Sequence, residues 1–131
     1  MSPNTFLDLP ARSPEGCTPR MVLFGVGHGS TYPDQDSSAY ETAADRIRAA
    51  SQEDSALLQH WDFDLGGPLF NGGPVSCIDA GNLETIMHDN DGNRSRIEAY
   101  TRDVLASNAV PLMICGDCSV TVPFIAGFKT A

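Results

Sequence analysis

Pro111-Leu112-Met113-Ile114-Cys115-Gly116-Asp117-Cys118-Ser119-Val120-Thr121 runs from an apolar stretch into a small polar turn and straight back towards apolar residues. A buried strand passes into a helix in this way at the carboxyl edge of a sheet, where α/β proteins place their ligands. Two thiols, a carboxylate and two hydroxyls crowd into the turn, which makes it the first candidate for chemistry. Val110 to Ile114 is the strand; beyond the turn, Thr121 caps a helix with Pro123 in its first turn.

Working outward, Ser95-Arg96-Ile97-Glu98 has the spacing of a capping box, in which serine and glutamate satisfy each other's free N–H groups. It opens a helix whose core stripe is Ile97, Tyr100, Val104 and Leu105, with Asn108 as a left-handed terminator. Residues 88–93 read as a polar loop; Asp89, Asp91 and Asn93 suggest calcium by spacing, but the rest of an EF-hand loop is missing. Val75 to Asp79 is a second strand, closed by the turn Ala80-Gly81-Asn82.

Met21-Val22-Leu23-Phe24-Gly25-Val26 is apolar on both faces, as a buried parallel strand is. It leads into a Gly-rich loop, Gly27 to Pro33. A second capping box, Ser38 to Glu41, opens a helix over about residues 39–50. Tyr40, Ala43, Ala44, Ile47 and Ala50 fall on its inner face, and Asp45, Arg46 and Arg48 point elsewhere. Asp54 to Trp61 adds a helical turn. Residues 62–74 form a Gly/Pro loop whose Phe63, Leu65, Leu69 and Phe70 are expected to tuck against the body or a neighbouring subunit. Residues 1–20 read as an amino-terminal arm, and 21–131 as an α/β unit with right-handed crossovers.

Composition bounds the function. The 131 residues are 41 % hydrophobic, enough for a core, and carry 17 acidic against 8 basic residues, a net charge of −9. Without a basic cluster, nucleic acid and anionic membranes are poor partners. Met1-Ser2-Pro3-Asn4-Thr5 lacks the charged and apolar regions of a signal peptide, and no apolar run approaches the roughly 20 residues that span a bilayer. Four cysteines in such a chain read as reduced thiols in the cytoplasm.

Three stretches resemble the ureohydrolases, the arginase and agmatinase family. Gly25-Val26-Gly27-His28-Gly29-Ser30-Thr31-Tyr32 is similar to the family's GVPFD-x-G-T-x-Y loop, and Ala43 to Ser51 to the helix that follows it. Ile78-Asp79-Ala80-Gly81-Asn82 is similar to the VDxGD strand end. Ala109 to Pro123 reads like A-x-P-[IL]-x-[LV]-G-G-D-H-S-[IV]-T-x-P. Order and spacing fit over about residues 20–131. The resemblance implies a three-layer α/β domain with a mostly parallel sheet, arginase/deacetylase-like, of which this chain is the amino-terminal part.

It further implies hydrolysis of a small guanidino substrate to urea and an amine by a pair of Mn²⁺ ions that lower the pKa of a shared water, in a homo-oligomer, trimer or hexamer. The family's ligands are the histidine of G-G-D-H-S, three residues of a later D-A-H-x-D and two aspartates of a D-x-D. Cys118 stands at the histidine position, and the later motifs are not within the 131 residues, so this chain is expected to be inactive alone. His28, Ser30 and Thr31 fall in the substrate loop; Gly116, Asp117 and Ser119 shape the turn; the resemblance identifies no further catalytic residue.

Rival readings remain. Cys115-Gly116-Asp117-Cys118 is C-x-x-C at a strand-to-helix junction, the setting of a thioredoxin-like dithiol oxidoreductase. Against it, no Trp precedes the motif, and Asp117 disfavours a thiolate. Zinc would need Cys77, His28 or His88 to join the pair. A non-catalytic or truncated family member is the third reading. Asp79 and Asn82 read as structural, and Tyr40, Tyr100 and Trp61 as core or interface.

Overall fold

The computed structural model describes residues 4–29, 36, 38–70 and 76–129. Three strands, β1 (Met21–Val26), β2 (Cys77–Leu83) and β3 (Val110–Cys115), form one parallel sheet in the order β2-β1-β3. Because β1 is central, it is covered on both faces, which is why five of its six residues are buried. Val22, Phe24 and Val26 face α3 (Asn90–Ala106) and α4 (Thr121–Lys129). Val22 packs with Val104 and Ala109, and Phe24 and Val26 with Ile97 and Val120. The Phe24 ring meets Tyr100 edge-on at 4.8 Å between centroids, a favoured aromatic geometry. Leu23 and Gly25 alternate to the other face, where Ala44 of α2 (Ala43–Ser51) closes over Gly25.

β1 and β3 stay in register from Met21 opposite Val110 to Val26 opposite Cys115. β1 and β2 do not. Leu23 lies opposite Asp79 but Gly25 opposite Asn82, so β2 carries an extra residue. Gly81, at φ 81°, absorbs this bulge in the left-handed region that glycine enters without strain.

The first and third strands and the last helix follow the sequence expectation to within a few residues. β2 does not, since Ala80-Gly81-Asn82, expected as its closing turn, lies inside it as the bulge, and two helices also depart. The helix expected from Ser95 starts five residues earlier, because Asp89 is its cap: Asp89 Oδ1 accepts from Gly92 N at 3.0 Å. The polar 88–93 stretch is therefore a helix start, where carboxylates meet free N–H groups and the positive end of the helix dipole, and Ser95 instead bonds back to the Asp91 carbonyl. Asn108, at φ 61°, ends the helix region as expected.

The helix expected over residues 39–50 is broken at Thr42 into α1 (Ser38–Glu41) and α2, and continues as a tighter turn over Gln52–Gln59. Its buried face is Ala44, Arg48 and Ser51, while Ile47 is 41 % exposed. The expectation that Arg48 points elsewhere is thus overturned, because a buried carboxylate awaits it. The 62–70 loop is also corrected: Phe63, Leu65 and Leu69 do not tuck against the body, and Phe63 is 90 % exposed.

Residues 4–10 return over α2 and β2, with Phe6 N donating to Asp79 Oδ2 at 2.8 Å and Leu7 N to Ser51 Oγ at 2.8 Å. β3 is an outer strand, with Val110 and Leu112 exposed, as are Val122 and Ile125 of α4. Among the described residues no helix is long and apolar enough to cross a membrane.

Candidate functional site

Parallel strands deliver their carboxyl ends to one edge, and the loops leaving them meet there. Gly27-His28-Gly29 leaves β1, Glu84 to His88 leaves β2, and Gly116 to Ser119 leaves β3. A cleft of about 350 Å³ opens between the first two loops.

His28 forms the cleft's inner wall and is buried. Asn93, in the first turn of α3, fixes it. The Asn93 amide donates to the Ile86 carbonyl at 2.8 Å, and its Oδ1 accepts from Ile86 N at 2.9 Å and Arg96 Nη1 at 2.8 Å. Those three bonds allow one orientation of the amide, so Nδ2 donates to His28 Nδ1 at 3.2 Å. His28 Nδ1 is therefore the acceptor and Nε2 carries the proton. Burial holds the imidazole below its ordinary value of 6.5; Arg94 adds to this, and Asp117 and Asp89 oppose it. A second ring proton would point at the amide hydrogens.

The β3 turn is held by Asp117, whose Oδ1 accepts from Ser119 N at 2.8 Å and from Ser119 Oγ at 2.5 Å. Tyr40 of α1 presses against the turn and the His28 loop together. A Cβ on Gly116 would lie 2.5 Å from Tyr40 Cβ, and one on Gly29 would lie 2.6 Å from Tyr40 Cε2 and 2.9 Å from Asp117 Oδ2. Only glycine permits that approach. Ser30 and Thr31 lie outside the described residues.

Cys115 and Cys118 differ in setting. Cys115 ends β3, half-buried, and its thiol donates to the Asp117 carbonyl at 3.5 Å. Burial pushes this thiol up, reinforced by Asp117 and Cys118, opposite to what a nucleophilic dithiol needs. Cys118 is exposed at the start of a helical turn capped by Asp117. Cys77 begins β2 opposite Met21, at the other end of the sheet from His28, so the zinc set with Cys77 does not form. No group of three or more His, Cys, Asp or Glu among the described residues could hold a metal ion. The donor chemistry also fits Mn²⁺ poorly: Cys118 offers sulfur, which is soft, where a hard cation prefers imidazole and carboxylate.

On the opposite face of the sheet lies a buried polar network, which reading the helix period alone does not reveal. Arg48 Nε donates to Asp79 Oδ2 at 2.7 Å and Nη2 to Asp79 Oδ1 at 2.9 Å, a bidentate pair. Arg48 Nη1 reaches Asn82 Oδ1 at 2.5 Å and Asp45 Oδ1 at 3.1 Å. Burial alone would push the Asp79 carboxyl up, but Arg48 and the N–H groups of Phe6 and Gly81 hold it below its ordinary value. Gly25 leaves the room: its Cβ would overlap Asn82 and lie 2.6 Å from Ala44 Cβ. A carboxylate in the middle of a strand (Ile78-Asp79-Ala80) was the available signal, since it requires a buried cation.

A parallel α/β unit with its polar loops at the carboxyl edge defines the class. The sequence profile of the arginase family matches residues 19–131, and the chain belongs to that family. No curated protein matches it. Among solved structures, a hypothetical agmatinase from Burkholderia thailandensis superposes with a TM-score of 0.74 at 21 % identity, covering 97 % of this chain and 38 % of that one. Proclavaminate amidino hydrolase from Streptomyces clavuligerus gives 0.72 at 25 %, covering 97 % and 39 %. Trypanosoma cruzi formiminoglutamase with Mn²⁺ gives 0.63 at 17 %, covering 99 % and 42 %. The chain therefore spans 38 %, 39 % and 42 % of the lengths of these relatives.

Proposed function

We propose that this chain is the amino-terminal part of a ureohydrolase of the agmatinase type, a cytoplasmic homo-oligomer that hydrolyses a guanidino compound to urea and an amine with Mn²⁺. One observation carries the reading: the turn Cys115 to Ser119 sits at the carboxyl edge beside the His28 loop, in a chain that belongs to the arginase family over residues 19–131. In this reading Cys118 occupies a metal-ligand position, Asp117 and Ser119 shape the turn with Gly116, and His28, Ser30 and Thr31 belong to the substrate loop. The described residues do not fit a manganese pair by themselves, so no step of hydrolysis is assigned to them.

That misfit favours one second reading, a non-catalytic family member. Urea release with Mn²⁺ and a guanidino substrate separates the two. The 131-residue chain is expected to give none. If the reading frame continues past Ala131 into D-A-H-x-D, the longer product is expected to turn over. Turnover by the shorter chain, or none by the longer one, overturns the first reading. A frame that stops at Ala131 supports the second.

A further inference from the structure

A groove of about 590 Å³ lies between the amino-terminal segment and the tight turn that follows α2. Phe6, Leu7, Leu57, Leu58 and Leu69 line it, and Leu57 and Leu69 remain exposed there. The amino-terminal wall is fixed in place: Leu7 N donates to Ser51 Oγ at 2.8 Å, and Gln52 Nε2 donates to the Thr5 carbonyl at 2.6 Å. The groove is therefore a formed feature of the surface.

Next to it the chain closes a hairpin. Asp62 and Gly67 exchange backbone bonds at 3.0 Å and 3.1 Å, and Asp62 Oδ1 accepts from Asp64 N and Leu65 N, both at 2.9 Å. Gly66, at φ 68°, takes the left-handed position of the turn. Four bonds thus hold Phe63 and Leu65 out in water, Phe63 at 90 % exposure, with Trp61 at 61 % just before them. An ordered apolar knob beside an apolar groove marks an interaction surface, because such side chains lose hydration cost only when something covers them.

Charge selects what covers it. Asp54 and Asp62 line the groove, and the exposed Glu53 and Asp64 are their sequence neighbours. The Asp62 carboxylate is placed where hairpin and groove meet, by its two bonds to the tip. No Lys or Arg occurs between Arg48 and Arg94, and His60 is the one base among the lining residues. Trp61 and Phe63 add ring faces, which attract cations. A second copy of the chain would bring a net charge of −9 to a surface of the same sign. We propose that the groove and hairpin dock a basic amphipathic helix of a partner protein. Its apolar stripe lies on Leu57, Leu58 and Leu69, and its Lys and Arg side chains meet Asp54, Asp62 and the two rings. This assignment does not rest on the hydrolase reading.

The test is a titration of the full 131-residue chain with a designed peptide of about 18 residues, long enough to form a helix. It carries leucine at i, i+3, i+4 and i+7 and lysine elsewhere. Trp61, the chain's one tryptophan, reports from the site itself, and its emission is expected to shift to the blue as the peptide binds. Affinity is expected to fall about tenfold when glutamate replaces the lysines or serine replaces the leucines. Phe63→Ser is expected to cost about tenfold and Asp54→Asn about threefold, while Val122→Ser, on α4 across the sheet, changes nothing. No shift, equal binding of either control peptide, or an unchanged affinity in F63S overturns the proposal. Self-association of the chain alone in sedimentation equilibrium, lost in F63S, would assign the surface to a second copy and overturn it too. Neither readout involves urea release, so the hydrolase reading stands or falls separately.

Discussion

Arg48 and Asp79 face each other across α2 and β2 as a two-bond pair, with side chains only 3 % and 0 % exposed. Such a pair ties two elements in one geometry and punishes the loss of either partner. Phe6 N completes it, so the same carboxylate also anchors the amino-terminal segment.

Arg48→Met should therefore destabilise the fold by about 3–5 kcal/mol, because it strands a buried carboxylate. Urea denaturation monitored by far-UV circular dichroism measures this. The double variant R48M/D79L should recover most of the loss. A single R48M costing under about 1 kcal/mol would show that the pair is not buried in solution.

Asp79 also sets an acid limit. Its folded pKa lies below the ordinary carboxyl value of 3.8, so the unfolded chain binds more protons in that range. The stabilisation is complete above the unfolded value and is lost as pH falls through the lower, folded one. Denaturation midpoints should fall below about pH 4, and Asp79→Asn should show a shallower fall over that range, from a lower starting stability.

For His28 the sign of the shift is the same and the window differs. The folded pKa is depressed below 6.5, so the unfolded imidazole takes up a proton first and stability declines as pH drops below that value. Long-range ¹H–¹⁵N spectra should show the Nε2–H tautomer at neutral pH, with a midpoint under 6.5. A midpoint at or above that value would mean that the ring is not buried in solution.

Two glycines separate steric from conformational demand. At Gly25 a methyl group would collide with Asn82 and Ala44, and G25A should cost about 2–3 kcal/mol, as overpacking does. At Gly81 the space is open but φ is 81°, so G81A should cost only about 1–2 kcal/mol of left-handed strain. Thermal melts of the two variants give the ranking directly, and a reversed order would be inconsistent with these contacts.

Alkylation kinetics distinguish the thiols. Exposed Cys118 should react with iodoacetamide several-fold faster than half-buried Cys115, whose pKa is raised. Peptide mass spectrometry over a time course reads both rates. Faster labelling of Cys115 would reopen the dithiol reading.

Much of the fold was legible because the strands at Met21–Val26 and Val110–Cys115 are apolar runs that stand out whatever the reading of the helices. Met21 to Val26 is uniformly apolar, as a strand covered on both faces must be, and the polar turn that follows β3 marks where that strand ends. Helix starts were less legible. Two capping-box patterns, at Ser38 and Ser95, pointed to starts, yet at α3 an earlier aspartate, Asp89, satisfied the free N–H groups first. Arg48 was misplaced because a helical period assigns charges outward unless a partner is known, and Asp79 is 31 residues away in sequence. The role of Asn93 was invisible for the same reason. Its partner His28 is 65 residues distant, and nothing local marks an asparagine as the clamp on a ring.

The outer position of β3 has a consequence for the protein in solution. Its outward N–H and C=O groups, with Val110 57 % and Leu112 45 % exposed beside them, offer a template for another strand. A net charge of −9 keeps copies apart only over a Debye length, about 10 Å at 0.1 M salt. Added salt should therefore drive chains together along β3. Light scattering that rises with ionic strength would record this association, and Leu112→Lys should suppress it.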